Sequence, residues 1–163
     1  MAYESYIKVK GSKQGQLKGS SPKAKRSDFI DVIAFKMGGD VPVDANNWQP
    51  KGSRQHRPVV VTVEACAASP QLLQAMWTSE VLSQVVLEIV NRKSDGSGEQ
   101  VKERITLTDA VIVSISRYSS DHAKEAVKHD VDHLEDIEFR FRQIMVENPL
   151  ASTSATDDWN APG

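Results

Sequence analysis

The sequence predicts a mainly β protein, a barrel capped by one α-helix. Three observations carry this. Most apolar stretches alternate with period two, the signature of a half-buried strand. One stretch alone, Ser69 to Trp77, follows helical spacing. Directly before it, Pro58 to Cys66 reads PVVVTVEAC, short and β-branched, as a buried strand does.

Pro58–Trp77 is the organising stretch. After the strand Val59–Cys66, Ser69 is placed to accept a hydrogen bond from a free amide of the first helical turn. Pro70 sits where a helix has no use for an N–H. Leu72, Leu73, Met76 and Trp77 then cover an arc of about 140°, enough to cap a sheet.

The 163 residues fit one domain, residues 1–163. With 39% apolar and 26% charged residues, the composition is that of a soluble globular chain. A net charge of −2 argues against a dedicated nucleic-acid binder. The single cysteine, Cys66, excludes an internal disulfide framework and reads as a buried structural thiol. No apolar run approaches a membrane span. The opening MAYESYIKVKG is a strand pattern, not a signal peptide.

Tyr3–Lys10 alternates, with Ile7 and Val9 on one side and Tyr6, Lys8 and Lys10 on the other. From Gly11 to Ser27 the apolar signal fades, and Lys13, Lys18, Lys23, Lys25 and Arg26 stand among Gly, Ser and Pro. This reads as a mobile or edge segment whose charge could meet phosphate or an acidic neighbour. Asp28–Lys36 is a strand apolar on both faces.

Met37–His56 shows no period of two or 3.6. A stretch this long without structure in a compact domain is functional or disordered. Trp48 at its centre argues against disorder, because indole left in water wastes a large apolar surface. The reading is a long arm, residues 37–57, packed on another copy of the chain. The alternative is an arm folded back on its own domain. Val43, Asn46, Asn47, Trp48, Gln49, Arg54 and His56 are its candidate contact residues, together with Trp159.

Gln84–Arg92 and Val101–Leu107 flank a Gly-rich turn, Lys93–Gly98, and read as a hairpin. Ala110–Tyr118 is the next strand. A polar connector, Ser119–His133, leads to Leu134–Met145, where Ile137, Phe139 and Phe141 face inwards. From about residue 147 the composition is that of a flexible tail. Trp159 suggests that it docks as a late strand.

Catalytic signatures are missing. His129 and His133 are four apart, a zinc-like spacing on a helix, but no third ligand is placed and the segment reads as a solvated connector. His56 and His122 are isolated. Asp157 and Asp158 point to opposite faces of any strand and form no acid–base pair. No catalytic, cofactor-binding or metal-ligating residue is assigned, and the chain reads as a non-enzyme.

Several pieces together resemble the Hcp family, the tube protein of bacterial type VI secretion. They are YIKVKG with the downstream QLKGSS, DFIDVIAF, Gly52-Ser53-Arg54-Gln55-His56-Arg57-Pro58, and Ala68-Ser69-Pro70 with Leu72 and Ala75. ITLTDAVIVSI, His133-Leu134-Glu135 before IEFRFRQI, and the closing Asp157-Asp158-Trp159 complete the set. Their order and spacing span almost the whole chain. The resemblance implies a phage-tail-tube-like β-barrel of two antiparallel sheets with one packed helix. It implies a homohexamer whose rings stack into a secreted inner tube, with sheath and spike proteins as partners and effector proteins as cargo. It also implies release from the bacterial cytoplasm through the secretion system, with no cofactor, no nucleic acid and no membrane insertion. The alternative is a nucleic-acid-binding β-barrel using the basic segment 8–26.

Overall fold

A computed structural model describes residues 3–119 and 133–160. Its elements are β1 (Glu4–Gly11), β2 (Gly15–Gln16), a 3-10 turn (Ala24–Arg26), β3 (Ile30–Lys36), β4 (Gly39–Asp40), β5 (Gln55–His56) and β6 (Val59–Glu64). Then follow α1 (Ser69–Trp77), β7 (Leu82–Arg92), β8 (Glu99–Ser119), β9 (His133–Asn148) and β10 (Thr153–Asp158). All pairings are antiparallel. The path β9-β6-β3-β1-β7-β8 closes on itself, because β8 also pairs with β9. That closure makes the expected barrel and removes the sheet edges that would otherwise lie open.

Alternation fills the interior. Val59, Val61 and Val63 of β6, Leu107 of β8, and Ile137 and Phe139 of β9 are all buried in one cluster. The register sets Val59 opposite Phe139 and Val61 opposite Ile137 across β6 and β9. On β8, Ile112 pairs with Phe139 and Ile115 with Ile137. Facing pairs of this kind interdigitate, which is what holds a small barrel closed without a channel of its own.

The helix occupies the expected residues, with two differences. Ser69 is not its N-cap. The side-chain Oγ accepts from the Cys66 N–H at 2.8 Å, and the capping position falls to Ala68. The corner is so tight that the free Oγ turns back to the strand end before it can reach the helix. Trp77 does not join the core. Leu72 and Ala75 form the buried stripe, Met76 packs partly against it, and Trp77 is 70% exposed.

The expected strands Val101–Leu107 and Ala110–Tyr118 are one continuous strand, β8. Asp109 interrupts its pairing with a φ of +51°, yet the ladder resumes at Ala110. On β3, Ile30 and Val32 are buried but Ile33 and Phe35 stay partly exposed, so the doubly apolar pattern does not mean burial on both faces.

The segment from Gly11 to Ser27 is ordered. β2 pairs with β1, and Leu17 is buried in the core. Beyond it the chain straps across the outer face, held where Ser20 and Ser21 donate backbone N–H groups to the Phe29 carbonyl. This strap buries Tyr6, which the alternation had placed on the polar side.

The tail expected to be flexible from about 147 is paired instead. Glu147 and Asn148 finish β9, and Thr153–Asp158 run back along it in six register pairs. Its backbone groups complete the part of β9 that β6 leaves open, which repays the ordering of a polar segment. The connector holding His122 and His129 lies outside the described residues, so the His129–His133 pairing does too.

Candidate assembly site at the arm and the C-terminal strand

Residues 37–57 leave the barrel as a hairpin-like arm. Its root is the two-pair ladder Gly39–His56 and Asp40–Gln55. Farther out, Val43 bridges Pro50, and Lys51 N–H donates to the Pro42 carbonyl. The tip is organised by Asp44. Its Oδ1 accepts from Asn46 N–H at 2.8 Å, its carbonyl accepts from Trp48 N–H, and its own N–H donates to the Gln49 carbonyl. Asn47 Oδ1 accepts from Gln49 N–H in the same way. Such side-chain turns replace a ladder with local bonds. They also explain the missing period: two-residue strands and turns have none to show.

Trp48 adopts a φ of +59°, a left-handed conformation that a bulky residue enters only when its surroundings impose it. Its side chain is 77% exposed, and Val41 and Val43 are about half exposed. An ordered tip therefore presents an apolar surface that its own chain does not cover.

The root tells a different story. Arg54 Nε lies 2.5 Å from Asp157 Oδ2, and His56 Nε2 lies 2.6 Å from the same oxygen. A second Arg54 nitrogen donates to the Asp158 carbonyl at 2.9 Å. The His56 ring meets Phe141 at 5.3 Å and Trp159 at 5.8 Å between centroids. The Asp157 carboxyl is held far below the ordinary carboxylate range, first by its hydrogen bond from Arg54 and next by that from His56. On the other face of β10, Asp158 accepts from Arg142 at 2.6 Å, and Arg142 also bonds Asp109 at 2.9 Å. The adjacent aspartates do face apart, as strand geometry requires.

A groove of about 420 Å³ opens beside this root, lined by His56, Arg57, Val111, Phe141 and Trp159 among others. It sits where β6 has ended along β9 and β10 has not begun.

The predicted contact residues thus divide. Arg54, His56 and Trp159 converge within the chain. Val43, Asn46, Asn47, Trp48 and Gln49 lie on the outlying tip. Asp157, Arg142 and Phe141 belong to the root, and sequence reasoning did not include them. The adjacent acids beside Trp159 were the available signal, since carboxylates on a docking strand need cationic partners.

The basic segment 8–26 spends part of its charge internally. Lys23 is paired with Glu4 and Glu99, and its ammonium is held protonated well above its usual range, chiefly by the hydrogen bond it donates to Glu4. Arg26 contacts Glu88 and Glu99 at 3.4 Å and stacks over Tyr6 at 4.4 Å. The acidic neighbour is within the chain. Among the described residues, no group of three or more His, Cys, Asp or Glu side chains is arranged to hold a metal ion. No described helix is long and apolar enough to cross a membrane.

Residues 6–147 match the family described as "Type VI secretion system effector, Hcp". The chain is 32% identical to the "Major exported protein" of Pseudomonas aeruginosa, over 99% of this chain and 98% of that one. It superposes on a crystal structure of an Hcp protein with a TM-score of 0.88, at 29% identity, covering 99% of this chain and all of the other. The secreted protein Hcp3 from Pseudomonas aeruginosa gives a TM-score of 0.77 at 26% identity, covering 98% and 100%. The chain belongs to the Hcp family of type VI secretion proteins.

Proposed function

We propose that this chain is the tube subunit of a type VI secretion system. Six copies close into a ring, rings stack into the inner tube, and the tube carries effector proteins and is expelled under a spike by a contracting sheath. It acts by fitting against copies of itself and transforms nothing. A closed ring needs each copy to present two different surfaces that meet around the circle. The observation that carries this reading is Trp48, 77% exposed on an ordered tip. With Val41 and Val43 it makes an apolar surface of the kind that marks a contact site. Family membership and a relative named for its export support the same role.

Negative-stain electron microscopy and sedimentation of the purified protein test it. Annular particles of uniform diameter are the expected result, formed without nucleic acid. A protein that stays monomeric at high concentration in every buffer overturns the proposal. Nucleic-acid binding that weakens steeply with salt would favour the alternative barrel instead.

A further inference from the structure

We infer that Asp157 is a positioning residue: it sets the angle of the arm against the barrel, while the side chain of its neighbour Asp158 serves only to dock β10. The inference rests on the assembly role proposed above and names what governs that site.

The arm needs an external anchor. Its root ladder has only two pairs, and a two-stranded ribbon this short does not hold its own direction in water. Two covalent connections and the Arg57–Asp40 ion pair, which is more than half exposed, would leave it free to swing. The anchor comes from the returning leg. Arg54 and His56 are two apart in extended chain, so their side chains leave on the same side. Both reach Asp157 Oδ2. Arg54 also takes the Asp158 carbonyl, so one guanidinium grips the side chain and the backbone of β10 at once. His56 is wedged against Phe141 and Trp159. The four anchoring residues, Asp157, Asp158, Phe141 and Trp159, are on β9, β10 or the residue just after it. The groove next to His56 and Arg57 gives the leg room to move once they are released.

Asp158 differs in kind. Its carboxylate bonds Arg142 on β9, and Arg142 bonds Asp109 on β8. Those contacts fasten the strand to the barrel and do not involve the arm's side chains. Two aspartates next to each other, alike in charge and burial, therefore have separable effects. Asp157 reports on arm direction, and Asp158 on strand docking.

The test uses the full chain with Cys66→Ala and nitroxide labels on cysteines placed at Asn46, at the arm tip, and Lys10, on the barrel wall. Pulsed electron resonance on dilute protein gives the tip-to-barrel distance distribution. Melting temperature and sedimentation are measured on the unlabelled variants. The parent should show one narrow distribution. Asp157→Asn should broaden it clearly, leave the melting temperature within a few degrees, and weaken assembly by about tenfold in concentration. Asp157→Glu, which keeps the charge, should restore the narrow distribution. Asp158→Asn should weaken the Arg142 contact and lower the melting temperature slightly, while the six backbone pairs keep β10 in place and the distribution stays narrow. An unchanged distribution in Asp157→Asn overturns the inference, and so does equal broadening in Asp158→Asn. Broadening with undiminished assembly overturns the link to assembly. If the parent itself never assembles, the proposed function falls, and the distance measurement still decides the role of Asp157.

Discussion

Arg54 and Asp157 meet at 2.5 Å although they lie 103 positions apart in the chain. The contact joins the return leg of the arm to the last strand, so the first third of the sequence and its end are fixed together. Neither partner is fully buried: each side chain keeps a little over a quarter of its surface. A partly exposed ion pair contributes modestly to global stability. Its worth is geometric, since it fixes a projecting element that the barrel core cannot reach.

Acid should open this contact at a defined point. The Asp157 carboxyl sits well below its ordinary range in the folded chain, with Arg54 the main cause. A depressed folded value means that its contribution is fully present above the unfolded value, about 3.9, and is lost as pH falls through the folded one. Trp159 fluorescence in a Trp48→Phe, Trp77→Phe background should therefore hold steady down to about pH 4 and change only below it. Arg54→Ala should move that change to higher pH. A change centred near neutrality in the parent would contradict the assignment to Asp157.

The strap across the outer face depends on Gly19. A Cβ there would lie 1.9 Å from the Ser27 carbonyl oxygen and 2.7 Å from two backbone carbons. Those are backbone atoms, so no side-chain rotation relieves the clash. Gly19→Ala should cost about 1–3 kcal/mol in urea unfolding, a typical penalty for overpacking. Hydrogen exchange should rise at Ser20 and Ser21, whose amides bond Phe29. Lys25→Ala, at an exposed site, should change neither.

Arg26 holds the same strap by charge and by ring contact. Its side chain is 11% exposed, pairs with Glu88, and lies over both Tyr6 and Phe29. Removing it leaves Glu88 with Arg104 alone, at 3.3 Å. Arg26→Ala should destabilise by roughly 1–3 kcal/mol, combining a lost cation–π contact with a weakened, largely buried pair. Denaturant midpoints would show it, and a loss below a few tenths would count against the strap as a structural element.

The barrel was legible because its signal is local. Ile137, Phe139 and Phe141 alternate in sequence, and alternation is what a wall strand needs. Pro58 and Pro70 marked the bounds of strand and helix for local reasons too. The failures concern partners distant in sequence. Tyr6 looked solvent-facing because the strap that covers it begins more than ten residues later. Val101–Leu107 and Ala110–Tyr118 looked like two strands because the polar pair Thr108-Asp109 interrupts the alternation, yet pairing to both neighbours carries β8 through. The lack of period and Trp48 marked residues 37–57 as unusual, but nothing local in them pointed to Asp157. Arg54, His56 and Trp159 were candidates for contact with another copy; Asp157 gathers Arg54 and His56 within the chain, where Trp159 packs on the imidazole.

Burial separates two aromatic residues that sequence pattern treats alike. Phe139 is completely buried between Val59 and Ile112. Phe139→Ala should cost about 3–5 kcal/mol, the transfer of a phenyl ring plus the cavity it leaves. Trp77, 70% exposed at the end of α1, fills no cavity. Trp77→Ala should stay within about 0.5 kcal/mol. Guanidinium unfolding of both variants gives the comparison, and equal losses would mean that α1 packs more deeply than its exposed face indicates.

Deleting Val43–Gln49 should separate folding from assembly. The segment adds no residue to the core cluster, and its hydrogen bonds are confined to the tip and its flanks. A short linker, Gly-Ser, joins Pro42 to Pro50, and the Lys51 N–H next to it already bonds the Pro42 carbonyl. The barrel should melt as the parent does, because loop shortening changes closure entropy only slightly. Rings or stacks should weaken, because Trp48 and Val43 are the exposed apolar groups at the tip and hydrophobic burial drives most protein association. Trp48→Ala alone should reproduce much of the effect, as aromatic anchors carry a large share of contact energy. Sedimentation at matched concentrations measures it, and rings of parental stability in the deletion variant would remove the arm from the assembly surface.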